Sequence, residues 1–247
     1  MIKKILVSQP RPQSEHNPYS DLATHYGVEC DFYPLVAIEG LNAHDFRLQR
    51  INPLDYTAVL FNSRLAIDQF FRLCEELRIT IPDTMHYYCI SEAVGNYLQK
   101  YIQYRKRRVF FSENNRFEDL LPAMNRRPQE KYILVTSENH NDEVIRLFAE
   151  HNITITPAVV YRSVPVIWPK GTPFDYDLIA LFTPTGVAAI KKSFPSIKQG
   201  DYLFACFGAK TQSALREIGI EPDIVAPTPA CPSIATAINK YLEEQDA

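Results

Sequence analysis

Six short polar turns share one setting in this chain: each follows a short apolar run and opens a segment with helical spacing. They are Ser8-Gln9, Asn62-Ser63, Ser91-Glu92, Thr136-Ser137-Glu138-Asn139, Thr183-Pro184-Thr185 and Gly208-Ala209-Lys210-Thr211. Hydroxyls and amides at a strand-to-helix turn cap the helix and leave backbone N–H groups facing outward. A row of such turns, each at the positive end of a helix, suits carboxylates or phosphates without an arginine clamp. Asn62, Ser63, Ser91, Asn139, Thr183, Thr185, Gly208, Lys210 and Thr211 are therefore the candidate ligand-binding residues. The competing reading makes each of them a helix cap and nothing more. Repetition in both halves of the chain is what raises the set above it.

Other chemistries lack their residues. The eight glycines build neither GxGxxG nor GxxxxGK[ST], which sets aside dinucleotide and nucleoside-triphosphate enzymes. There is no HExxH and no close His/Cys cluster, so no metal site is expected, and without a GxSxG elbow Ser-His-Asp catalysis gains no support. Five scattered cysteines without a CxxC spacing fit reduced, mostly buried thiols. The run Arg105-Lys106-Arg107-Arg108, with Tyr97, Tyr101 and Tyr104 before it, is the one feature resembling a nucleic-acid patch. In a chain of net charge −3 it reads instead as a solvated loop, and no nucleic-acid partner is expected. The first residues, MIKKILVSQPRP, fit neither a signal peptide nor a membrane span, so the expectation is a cytoplasmic protein, monomeric and off the membrane. Tyr161, in VVYRSVP, has the setting of a half-buried strand tyrosine, and Arg162 beside it that of a surface charge.

The elements that must position these turns alternate. With 46% apolar and 22% charged residues over 247 positions, the chain can bury ordinary cores and has room for two modest domains. Ile5–Ser8 is a strand; Asn17 caps a helix with Pro18 in its first turn, and Gly27 ends it after Tyr26. Val28–Ile38 reads as a strand carrying Pro34, Thr57–Phe61 as a buried strand, and Leu65–Leu77 as a helix with a stripe of Ile67, Phe70, Phe71, Cys74 and Leu77. Met85–Ile90, a helix to about Tyr101, Val109–Phe111 and a further loop and helix follow. Strands alternating with helices predict mainly parallel sheets.

From Lys131 the pattern restarts. KYILVTSEN repeats KKILVSQPR, and EVIRLFAEHN with ITITPAVVYRSV repeats the helix before Gly27 with VECDFYPLVAI. LIALFTPTGVAAI repeats AVLFNSRLAIDQF, LFACFGAKTQSAL repeats YYCISEAVGNYL, and DIVAPTPACPSIATAI repeats VFFSENNRFEDLLPAM. Five blocks in one order, their offset shrinking steadily, predict two homologous α/β domains of about five strands each.

ILVSQPRPQ with YGVECDFYPLVAI, LFNSRLAI, PAVVYRSVP, LFTPTGVAAI and above all CFGAKTQSALREIGIEPDIVAPTPACPSIATAI resemble the uroporphyrinogen-III synthases over nearly the whole chain. That resemblance implies two flavodoxin-like domains, doubly wound parallel sheets related by internal duplication and joined by two strands, Tyr33–Ile38 and Val159–Val164. Residues 1–37 with 164–247 would form a discontinuous first domain and 38–163 the second, with strand pairing ending near Pro34 and Pro165. It implies a cofactor-free lyase that closes hydroxymethylbilane, a linear tetrapyrrole polycarboxylate, with loss of water and inversion of the terminal ring. Tyr161 matches the family's tyrosine of the returning strand and is the expected proton donor or hydrogen bonder to the leaving hydroxyl. Thr211 matches the threonine of a glycine-x-x-threonine turn, and Ser63, Thr183 and Thr185 match hydroxyl positions of two other turns. Asn62 stands where threonine is common. The sequence departs from the pattern at Gln9, where many members have arginine, and at Ser91–Val94, which lacks the glycine and threonine and brings Glu92 toward a polyanion. The better-preserved half of the site is thus expected around Gly208 and Thr211. Two rival readings use the same fold: a non-catalytic binding protein or sensor for an anionic small molecule, and a regulatory interaction module.

Overall fold

Runs such as Ala-Val-Leu-Phe and Leu-Ile-Ala-Leu have no polar alternate, which suits strands covered on both faces, as in parallel sheets. The computed structural model describes residues 2–14, 17–138 and 142–246. Its strands are β1 (Lys4–Val7), β2 (Glu29–Phe32), β3 (Val36–Gly40), β4 (Ala58–Phe61), β5 (His86–Cys89), β6 (Val109–Phe111), β7 (Tyr132–Ser137), β8 (Ile155–Pro165), β9 (Leu178–Leu181), β10 (Leu203–Phe207) and β11 (Ile224–Ala226). Its helices are α1 (Pro18–Tyr26), α2 (Ala43–Leu48), α3 (Arg64–Glu76), α4 (Glu92–Tyr97), α5 (Leu121–Asn125), α6 (Glu143–Glu150), α7 (Pro184–Ser193), α8 (Ala209–Glu217) and α9 (Ile234–Asp246). They form two compact units, Met1–Ala37 with Val164–Ala247, and Ile38–Ser163.

The discontinuous unit holds the sheet β2-β1-β9-β10-β11, parallel throughout. Alternate residues serve opposite faces. Ile5, Val7, Leu178, Ala180 and Ala205 pack with Leu22 of α1 and Ile234, Ile238 and Leu242 of α9. Leu6, Ile179, Leu181, Phe204 and Cys206 pack with Val187 and Ile190 of α7 and Leu215 of α8. The other unit holds β3-β8-β7-β4-β5-β6. There Val59, Phe61, Ile133, Val135 and Cys89 meet Ile67, Phe70 and Cys74 of α3, while Leu60, Tyr88 and Leu134 meet Met124 of α5 and Phe148 of α6. Both units are therefore parallel-dominated α/β layers. In the second, only β3 departs: Leu41 donates to Val160 and Val166 to Leu35, so the partner number falls as the chain rises and β3 runs antiparallel to β8.

Local signals act as the residues predict. Asn17 accepts from the amides of Tyr19 (3.1 Å) and Ser20 (3.2 Å), and Gly27 ends α1 at φ 65°, a left-handed conformation that glycine adopts freely. One expected strand is divided. Val28–Ile38 becomes β2 and β3 because the chain breaks at Tyr33-Pro34-Leu35, where Leu35 is fully buried and Tyr33 packs its ring on Trp168 at 4.7 Å. The expected helix to Tyr101 is α4 followed by a single 3-10 turn at Leu98–Lys100, and Lys106–Arg108 of the basic run forms another. Of the tyrosines before that run, Tyr97 and Tyr101 both donate to Asp68, which Lys100 also meets at 2.9 Å. α2 has no counterpart in the sequence reading; Asn42 caps it through the Asp45 amide (2.8 Å), and Phe46 pins it to the core.

All five cysteines are free, four of them buried. Burial pushes the Cys74 and Cys89 thiols up to about 12 and the Cys206 thiol to about 11; burial and then Asp31 bring Cys30 to about 11. The thiolate is the reactive form, so the folded protein at pH 8 should react with a chromogenic disulfide far more slowly than the denatured chain, in which all five thiols titrate. Rapid labelling of several thiols in the native state would contradict this core.

Candidate active site

In open parallel sheets ligands bind beyond the carboxyl ends of the strands. At that edge of the second unit β4 leads through Asn62-Ser63 into α3, and β5 through Ile90-Ser91 into α4. At the same edge of the discontinuous unit β9 leads through Phe182-Thr183 into α7, and β10 through Gly208 into α8. Three hydroxyls cap their helices: Ser63 accepts from the Ala66 amide at 3.1 Å, Ser91 from Val94 at 3.3 Å and Thr183 from Gly186 at 3.1 Å. Capping uses an oxygen lone pair only. Each O–H proton is left to donate to an anion, and the amides of Arg64, Leu65 and Thr185 bond to nothing among the described residues.

Gly208 does the job differently. Without a side chain to cap α8, it leaves the Ala209 and Lys210 amides without partners among the described residues. Its φ of 81° is open to glycine and strained for other residues, although a Cβ there would meet nothing within 4 Å. Its own amide is held by the Ala226 carbonyl at 2.7 Å. One turn on, Thr211 is 2% exposed, and its hydroxyl has no hydrogen bond among the described residues. Lys210 is exposed and lines, with Pro184, Ala209 and Ser213, a shallow cavity of about 420 Å³ between the starts of α7 and α8. Thr185 is half-buried in the first turn of α7, and Asn62 is exposed. Asn139 lies outside the described residues.

Two further hydroxyls belong to these edges. Ser8, after β1, is 7% exposed, and Thr136, near the end of β7, is 2% exposed. Both stand in the polar turns named from the sequence, in matching places of the ILVS and ILVT blocks, although neither is among the candidate ligand-binding residues. The repeat also shows where the halves diverge: Thr211 in α8 corresponds to Val94 in α4, a buried methyl pair in place of a hydroxyl.

Tyr161 owes its direction to a β-bulge. Thr136 pairs with Val159, but Ser137 pairs with Tyr161, so Val160 is an extra residue in β8. Regular alternation would send Val160 and Tyr161 to opposite faces. Here both pack against the core cluster of Ile133, Val135 and Phe70. The Tyr161 carbonyl is held by the Glu138 amide (3.0 Å), while its phenol has no hydrogen bond among the described residues. Arg162, next along, is tied to Glu39 at 3.2 Å and Asp45 at 3.6 Å; the hydrogen bond that it donates to Glu39 is the main cause of its raised pKa.

A family model described as uroporphyrinogen-III synthase HemD matches residues 17–236. The chain belongs to the uroporphyrinogen-III synthase family. Members are cyclising lyases of tetrapyrrole and haem biosynthesis, and this membership favours the enzyme over a non-catalytic binding protein. Among solved structures, the uroporphyrinogen-III synthetase of Helicobacter pylori 26695 is similar to the chain at 16% identity and a TM-score of 0.55, covering 98% of this chain and 100% of its own. The wild-type uroporphyrinogen III synthase of the extremely thermophilic bacterium Thermus thermophilus is similar at 15% identity and a TM-score of 0.45, covering 99% and 100%. No curated protein sequence matches the chain. For a synthase of this family, the arrangement offers hydroxyl and amide donors at two sheet edges and one phenol without a protein partner among the described residues. No helix among the described residues is long and apolar enough to cross a membrane.

The double use of a capping hydroxyl is open to test. Thr183→Val removes the cap and should lower stability by about 1 kcal/mol, whereas Thr183→Ser should stay close to the parent. Urea unfolding of both variants reads the difference, and equal stability of the two would show that Thr183 does not cap α7.

Proposed function

We propose that this chain converts hydroxymethylbilane to uroporphyrinogen III, with Tyr161 serving the departing hydroxyl and strand-end turns holding the substrate's carboxylates. The observation that carries the assignment is the bulge in β8, which turns a phenol without a protein partner among the described residues onto the same face as Ser137. A hydroxyl leaves a carbon as water only if a proton reaches it, and a positioned phenol can donate the hydrogen bond that carries that proton. Breaking the C–O bond leaves an azafulvene electrophile. The terminal ring attacks this electrophile through its substituted α-carbon to give a spiro intermediate. The bond from that carbon to its original methylene then breaks, and the ring's other α-carbon takes up the methylene and loses its proton, so that the ring ends inverted in the closed macrocycle. Because the free bilane closes on its own to the uninverted isomer, the protein's contribution is largely control of conformation. Backbone amides at helix starts and the hydroxyls of Ser63, Ser91, Thr183, Thr185 and Thr211, with Asn62, Asn139 and Lys210, supply donors for acetate and propionate groups without demanding an arginine at each.

The two units read as flavodoxin-like copies of one ancestor, split as residues 1–37 with 164–247, and 38–163. Support comes from strand order: when the repeated sequence blocks are matched, β2-β1-β9-β10-β11 and β8-β7-β4-β5-β6 are the same succession. Counted within one copy, that is the 2-1-3-4-5 order of doubly wound sheets. Five free cysteines suit a reducing compartment, and we take the enzyme to be a cytoplasmic monomer.

Two outcomes are expected. In an assay with freshly generated hydroxymethylbilane, Tyr161→Phe should slow formation of the inverted isomer by about a hundredfold, a usual size for general acid catalysis, with an unchanged circular dichroism spectrum. A parental rate and isomer ratio would remove Tyr161 from the mechanism. Uroporphyrinogen III at 100 times its Kd should stabilise the parent by about 2.7 kcal/mol, read as a rise in Tm, and no rise at saturating concentration would argue against binding.

A further inference from the structure

The bulge that aims Tyr161 has an unusual support. β3 covers the outer edge of β8 only as far as Leu41, whose amide bonds the Val160 carbonyl at 2.9 Å. Beyond that point the edge is completed by one side chain. The Gln49 carboxamide donates from Nε2 to the Val159 carbonyl at 2.8 Å and accepts at Oε1 from the Val159 amide at 2.9 Å, as a neighbouring strand residue would. Three successive carbonyls of β8 thus have three different partners: Val159 with Gln49, Val160 with Leu41 and Tyr161 with Glu138. This pattern belongs to the bulged form. Regular pairing would turn one of the first two carbonyls inward and send the Tyr161 side chain to the opposite face, since one residue of slip exchanges the faces of a strand.

Gln49 is itself firmly placed. It follows α2, which is pinned through Phe46 in the core and through the Ala43 amide to Glu76 of α3 at 2.9 Å. Arg72 holds that Glu76 at 2.9 Å and also donates to the Leu41 carbonyl. A Cβ on Gly40 would come within 2.1 Å of Gln69 Oε1, so the strand end sits directly on this polar row of α3. We infer that Gln49 is a positioning residue for the ring-closing reaction: its carboxamide locks the β8 bulge and so keeps the Tyr161 phenol on the reactive face. The role in turnover rests on Tyr161 acting as proposed above; the lock itself does not.

The test separates the two. Gln49→Met keeps the length and loses both hydrogen bonds. Amide hydrogen exchange should quicken at least tenfold at Val159 and its neighbours Val160 and Tyr161 while β4 stays protected; unchanged protection there overturns the lock whatever Tyr161 does. In the bilane assay the variant should lose about tenfold in kcat with KM within twofold, and release more of the uninverted isomer. In a Tyr161→Phe background the same substitution should cost nothing further, because the group it positions is gone. An equal fractional loss in both backgrounds would make Gln49 merely structural and overturn the proposal. If exchange quickens but Tyr161→Phe alone is silent, the reading of Tyr161 falls and the positioning role falls with it, leaving the lock as a feature of the fold.

Discussion

A parallel sheet covered by helices on both faces has one place where polar groups can meet a ligand without breaking the core, and that is the end where strands turn into helices. The sheet satisfies its own amides and carbonyls along β1, β9 and β10 and again along β7, β4 and β5. At the helix starts the first N–H groups have no intrahelical partner, and Ser63, Ser91 and Thr183 relieve only one each. The remaining donors point outward by geometry. Donors at these edges are thereby supplied by backbone, and side-chain identity decides which of them a cap takes up.

This division explains which parts were legible in the residues alone. Strands such as Thr57–Phe61 and caps such as Asn17 and Gly27 are local: composition and turn chemistry specify them within a few positions, and the structure places them within a residue or two of their expected ends. The alternation of strands and helices, and the family, follow from their order. α2 was not legible, because Ala43–Leu48 is too short to show a repeating apolar face and is held by partners far away in sequence, Glu76 among them. Pro34 marked a strand boundary, yet the break into β2 and β3 depends on Leu35 entering a core formed with α7 and β9. The bulge at Val160 was invisible for a related reason. Two consecutive residues facing one core look, in sequence, like any apolar strand passing into a polar one.

The candidate site divides in the same way. Hydroxyls at the turns could be named because capping residues are named by type and position. Their burial could not: Thr211 and Thr136 are enclosed, whereas Asn62 and Lys210 are open to solvent, and only the packing of the neighbouring strands decides which. Gly208 was recognisable as a glycine in a turn, but its left-handed conformation and its bond to Ala226 depend on β11 lying alongside. The divergence between α4 and α8 is likewise a matter of partners: Val94 fills the core beneath β5, where Thr211 brings a hydroxyl.

The capping hydroxyls carry one more implication, for how this protein can change over time. Binding sites commonly hold polar groups that the empty fold would be better without, so that gains in activity are set against losses in stability. Here the oxygen of Ser63 or Thr183 already has its helix amide, and only its O–H proton is left over. Substitutions that sharpen these helix starts therefore need not trade one property against the other. The two repeated turns can differ in residue type, as Ser91–Val94 and Gly208–Thr211 do, while each still opens a helix.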